Sequence, residues 1–240
     1  GLDNIADGLS VAPVAVERYI AAAGLLATEV SAKSFGSGAG PIGKCTPSTL
    51  APDVCARQVV SNFLPRAFRR PVTATEVERL VDLVTLAISQ SDNFQTGMSL
   101  AIQAALLSPN FMYRVELDAD PNDANVVKTL SAFELASRLS YFIWGTMPDN
   151  TLFQTAASGT LTTEAVLRAQ VSRMLQDPKS DTLVTNFAEM WLGVRKLDGL
   201  VPLATSFPSF RVSLRNSAKN ETRNFIRHLR ANNLPISELL

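Results

Sequence analysis

The chain has 240 residues, of which 46% are hydrophobic, 7% aromatic and only 18% charged, enough apolar material to bury one good core or two smaller ones. Its 22 Lys and Arg balance its 22 Asp and Glu, so no global field steers it toward nucleic acid or acidic lipid. No apolar run reaches the roughly 18–20 residues that a bilayer span requires, so no transmembrane segment is expected.

The chain opens on GLDNIADGL with neither an initiator Met nor a signal peptide and closes on PISELL, which reads as a piece cut from a longer protein. Pro13 opens a helix, VAVERYIAAAGLLATEV, whose apolar positions recur at helical spacing. Residues 34–52 are a Gly/Pro/Ser-rich connector. Asp53 is expected to cap a helix carrying Val59, Val60, Phe63 and Leu64, interrupted at Pro65 and ended by Arg69-Arg70-Pro71. Thr73 and Glu76 form a capping box ahead of the stripe Val77, Leu80, Val81, Val84 and Ile88. A further helix covers 94–107, and Ser108-Pro109 starts the next.

Residues 118–129 are an acidic, Asn-rich linker and the best domain boundary. Ser131 and Glu134 make a second capping box, Pro148-Asp149 begins a short helix, and Thr162 is expected to cap another. Asp177-Pro178 should open a helix running through FAEMWLGV, and Ser206–Pro208 leads into a long one ending near Asn233. Period-two alternation is lacking, so few or no strands are expected. The fold class is therefore all-α, two helical bundles in tandem: an N-terminal helix and connector at 1–52, a domain at 53–117, the linker, and a domain at 130–240.

The two cysteines, Cys45 and Cys55, lie in KCTPSTLAPDVC. A structural metal site wants four ligands and the one histidine, His228, is distant in sequence, so no metal is expected. Neither C-x-x-C nor C-x-x-C-H is present, which removes thioredoxin-like chemistry and haem attachment within this chain. A disulfide or two free thiols remain. The turn-rich loop suits closure, which would contribute roughly 2–3 kcal/mol and imply an oxidising compartment.

Ionic groups set among core-forming neighbours must be paired or sit at a site. Tyr113, Arg114 and Glu116 close one segment, while Glu134, Arg138 and Tyr141 follow at i, i+4, i+7 on a helix otherwise apolar and expected to be largely enclosed. With Ser137 they fill a sector about 100° wide. Read structurally, this is a local Glu134–Arg138 pair, or a network joining these residues to Arg114 and Glu116. Read functionally, it is a groove with Glu134 or Glu116 as acid or base and Arg114, Arg138 and Tyr141 as ligand-binding groups. Glu189, in NFAEMWLGV, is a third carboxylate on an apolar helix that could join either of the others in two-carboxylate hydrolysis. Arg66, Arg69 and Arg70 could take a phosphate or carboxylate, but they also suit the helix C-terminus. No Ser-His-Asp set, phosphate loop or H-E-x-x-H can be assembled. Whether the chain is an enzyme stays open.

CARQVVSNFLPRAFRRPVTATEVERL with GMSLAIQAALLSPNFMYRVE resembles domain of unknown function 1595. LSAFELASRLSYFIWGTMPDNTLFQTAASGTL with LRAQVSRMLQDPKSDTLVTNFAEMWLGVRKLD resembles domain of unknown function 1592, and LSVAPVAVERYIAAA resembles the tail of domain 1587. The resemblance implies a large secreted planctomycete-type or myxobacterial protein, with these domains in tandem behind a cytochrome c-like domain. It supports the disulfide reading of Cys45 and Cys55 and an extracytoplasmic location. It implies other domains of a parent protein as partners, with any haem held in another domain or chain. It carries no established catalytic residue. The first expectation is a helical scaffold or docking module. The alternative is the substrate-binding or catalytic part of a secreted hydrolase or haem-assisted oxidoreductase acting on an environmental polymer or small organic molecule.

Overall fold

Proline opens α1 (Pro13–Ser31), α2 (Pro52–Phe68) and α5 (Pro109–Met112), the position where its missing N–H deprives no carbonyl. These helices come from a computed structural model that describes residues 12–36, 42, 45, 50–117, 123, 127, 129–203 and 205–239. Between and beyond them lie α3 (Ala74–Ser89), α4 (Phe94–Leu107), α6 (Ala132–Trp144), α7 (Asn150–Ala157), α8 (Glu164–Gln176), the single turn α9 (Glu189–Trp191) and α10 (Val212–Ala231). The described residues contain no strand, and the fold is all-α.

Side chains seal several helix starts as the sequence predicts. Thr73 accepts from the Glu76 amide while Glu76 Oε2 accepts from Thr73 N at 2.8 Å, and Ser131 and Glu134 exchange the same pair of bonds. At α2 the expectation fails. Ala51 occupies the cap position, and Asp53 lies in the first turn, 3.5 Å from Arg57. The helix also continues through Pro65 to Phe68. The ring removes one backbone bond, but Leu64, Ala67 and Phe68 on either side of it are buried, and their burial offsets that loss.

The chain divides into two compact units. The N-terminal unit holds Ser10–Arg138 and Met147–Thr162. In it α4 packs on α1 and α3, and α3 on α2. The core runs through Ala56, Val59, Val60 and Leu64 of α2, Val77, Val81 and Val84 of α3, and Met98, Ala101 and Ala105 of α4. A Cβ on Gly97 would lie 3.0 Å from the Val84 carbonyl oxygen, so glycine permits this helix pair to approach. Cys45 and Cys55 are joined, their Cα atoms 5.6 Å apart, which decides between the disulfide and two free thiols.

The C-terminal unit comprises residues 139–146 and those from Thr163 onward. Trp144 anchors it. Its Nε1 donates to the Met174 carbonyl at 2.9 Å, with Arg173 and Lys179 placed 5.4 and 4.7 Å from the ring centroid. Gly145 follows at φ 65°, and a Cβ there would come within 2.8 Å of the Thr182 methyl, so only glycine fits.

The continuous helix expected from Asp177 is instead broken. A 3-10 turn at Pro178–Asp181, a π-helical stretch at Leu183–Ala188, α9, and a 3-10 run at Val194–Gly199 follow one another. Thr162 lies in a 3-10 turn, and Thr163 rather than Thr162 precedes α8. The expected linker at 118–129 lies outside the described residues apart from Asp123, Val127 and Thr129.

Candidate functional site

Arg69 ends α2 in the left-handed conformation at φ 58° and is buried. Its Nη2 donates to the carbonyls of Asn110, Phe111 and Tyr113 at 2.7, 3.0 and 2.8 Å. One guanidinium thus ties the end of α2 to the whole SPNFMY turn, since a planar cation with several donors can gather carbonyls that no helix satisfies. Arg70 beside it pairs with Glu76 at 2.7 Å and donates to Asn110 Oδ1 at 3.2 Å. The Arg70 guanidinium, with the Thr73 amide, holds the pKa of the Glu76 carboxyl at about 2, far below its ordinary 4.5.

The backbone past this turn carries Arg114 and Glu116, both exposed. Arg138 grips Glu116 bidentately, Nε to Oε1 at 3.0 Å and Nη2 to Oε2 at 2.6 Å. Arg138 is 60% exposed and Glu116 30%, so the pair belongs to the weak, solvent-screened class. Glu134 accepts from the Ser131 and Leu117 amides, each at 2.8 Å. Its two oxygens therefore fasten the start of α6 to the segment that precedes it.

The expectation that α6 is enclosed is corrected. Phe142 is 59% exposed, and the buried face is made by Ala136, Ser137, Ser140, Ile143 and Trp144. Tyr141 is half-buried on the part of α6 that belongs to the C-terminal unit. The structure thus joins Glu116 to Arg138 and brings Glu134 onto the adjacent backbone.

Glu189 belongs to the C-terminal unit, whereas Glu116 and Glu134 belong to the other. Its side chain is only 5% exposed and accepts from Arg223 Nε. That contact is one rung of a ladder that sequence reasoning missed. Along α10, Lys219 pairs with Asp198 at 2.8 Å, Arg223 with Glu189, and Arg227 with Asp181 at 2.7 and 2.8 Å. Arg215 donates to the Asp198 carbonyl at 3.0 Å, and Arg230 to the Ser180 carbonyl at 2.7 Å. Arg227 keeps the Asp181 carboxyl below its usual range, and Lys219 does the same for Asp198. The signal was present as cations every fourth residue on α10. Their acidic partners Asp181, Glu189 and Asp198 would not share one face of a regular helix at their sequence positions, and the broken helix between Pro178 and Gly199 sets where each one falls. His228 lies on the same helix, exposed, its Nδ1 3.1 Å from the Asn232 amide nitrogen.

A half-open cleft of about 240 Å³ lies in the N-terminal unit, lined by α2 and α7 through Asn62, Pro65, Arg66, Pro148, Phe153 and neighbouring residues. None of Arg114, Glu116, Glu134, Arg138 and Tyr141 lines it. No group of three or more His, Cys, Asp or Glu residues suited to a metal occurs among the described residues, and no described helix is long and apolar enough to cross a membrane.

Residues 55–116 match the PSD5 family, proteins of unknown function (DUF1595), and residues 130–240 match the PSD4 family, proteins of unknown function (DUF1592). The chain therefore carries two domains of unknown function in tandem. No curated protein and no solved structure matches it.

Proposed function

We propose that this tandem pair is a helical scaffold or docking module within a larger extracytoplasmic, cytochrome c-linked protein, with α1 contributed by the tail of a domain resembling domain of unknown function 1587. The observation that carries this reading is how the charged side chains of the two matched regions are used. Arg69 holds three carbonyls, Arg70 holds Glu76, Glu134 holds two amides and Glu116 holds Arg138. A general acid or base needs a group free to exchange a proton with substrate, and these groups are committed to backbone or to each other. The disulfide supports an oxidising compartment.

The residues present do not fit a haem bound by this chain. Its only cysteines are joined to each other, and its one histidine lies beside Asn232. The haem of the proposed assembly is held by another domain or partner chain.

The test uses the intact parent protein. A Soret band in its visible spectrum, together with loss of assembly between its parts when this region is deleted, is the expected result. A parent without a Soret band removes the cytochrome link. If Glu116→Gln or Glu134→Gln abolishes a substrate turnover while leaving the melting temperature unchanged, the scaffold reading gives way to catalysis.

A further inference from the structure

We infer that the cleft between α2 and α7 is a binding site for a small organic carboxylate with an apolar body. Arg66 supplies the charge. It sits exposed in the last turn of α2, and its Nη1 donates to the Oδ1 of Asn150, a neutral amide. No carboxylate among the described residues pairs with it, whereas Arg57 and Arg70 on the same stretch of chain each pair with a glutamate. Asp149, next to Asn150, is engaged in capping α7, its Oδ1 accepting from the Leu152 amide at 2.9 Å. Arg69 also lines the cleft, but its guanidinium is committed to three carbonyls, which leaves the anchoring charge to Arg66.

Arg66 keeps guanidinium N–H groups that make no described hydrogen bond. A carboxylate, like a phosphate, presents two oxygens that match that planar fork, and the apolar faces of Pro65, Pro148 and Phe153 favour the organic carboxylate. Three lining residues, Pro65, Pro148 and Phe153, give the wall a stiff apolar part. Phe153 is held edge-on by Phe133 at 5.1 Å, and Pro65 and Pro148 present rigid rings. A cleft of about 240 Å³ takes a body the size of one aromatic ring or a short branched chain. Its lining sets the apolar faces of Pro65, Pro148 and Phe153 among polar groups that could orient such a body. Asn62 and Gln154, also in the lining, add amides that can bond a substituent on that body.

The probes are benzoate and its neutral isostere benzamide, titrated into the full 240-residue chain and followed by amide NMR shifts. Benzoate is expected to bind with a Kd of about 1 mM or tighter, with shifts confined to residues 61–69 and 148–154. Benzamide should bind at least about tenfold more weakly, and added salt should weaken benzoate but leave benzamide unchanged. Arg66→Met should weaken benzoate by about tenfold or more while the far-ultraviolet circular dichroism is retained. The salt and benzamide comparisons need no variant, so they stand even if that variant folds poorly. Equal affinity for the two probes, shifts centred elsewhere, or none at about 20 mM benzoate overturns the assignment.

Discussion

The N-terminal unit closes over aliphatic side chains that run from Ala56 to Ala105, whereas the C-terminal unit fastens α10 through Lys219, Arg223 and Arg227 to Asp198, Glu189 and Asp181. Apolar burial is non-directional and offers no charge for salt to screen or pH to titrate, while an ion pair depends on both and on geometry. On α10 only Lys219 and Leu229 are buried, so that helix has little apolar area with which to hold its place. The contrast teaches that one chain can build two helical units on different forces, and that they should fail under different conditions.

The largest expected effect is in the aliphatic core. Leu64→Ala, at a fully buried position, should cost about 3–4 kcal/mol in urea unfolding, and the loss should be the same at low and high salt. Next comes Arg223→Met, which strands the buried Glu189 carboxylate and should cost about 3 kcal/mol. Adding Glu189→Gln to it should recover part of that loss, because the stranded charge is gone. A double variant no more stable than the single one would show that the contact is not what holds α10.

Acid probes the same contrast from another side. A carboxyl whose pKa is depressed on folding contributes its stability above its unfolded pKa and loses it as pH falls through the folded one. Glu76 should therefore give way between its ordinary 4.5 and about 2, and Asp181 and Asp198 below their ordinary 3.8. Denaturation midpoints should hold steady from about pH 7 to 5 and fall below about pH 4. Contacts of α10 should loosen before the core amides of α3 and α4 exchange. Loss of core protection first would reverse the contrast. The smallest effect is that of Asp181→Asn, whose pair with Arg227 is about one-third exposed on each side. It should cost less than about 1 kcal/mol and fade in about 1 M salt.

Much of the N-terminal unit was legible because its signals are local. A proline at a first turn, a Thr73–Glu76 box and an apolar stripe on α3 each determine structure within a few residues. Pro65 misled because its effect on a helix depends on what the neighbouring turns bury. The role of Arg69 was out of reach for a related reason: its three carbonyl partners lie 41 to 44 residues away. The polar stripe of α6 was half legible. Its capping box was readable from four residues, whereas the choice of Glu116 as partner for Arg138 depends on where α5 delivers the chain. The ladder was hidden because Asp181, Glu189 and Asp198 meet α10 only once π and 3-10 turns have re-aimed them. Those departures depend on packing and carry no local sequence mark.

Arg215, Lys219, Arg223 and Arg227 recur every four residues. A screw step of about 6 Å along the axis and about 40° around it would carry each cation to the place of its neighbour. Charge alone therefore behaves like a comb that fits its teeth in more than one setting. What fixes the setting must be something that does not repeat, namely Leu229 in the interior and Arg230 on the Ser180 carbonyl. Those two residues index the comb, and replacing both would leave α10 with its full complement of charges and no way to count them.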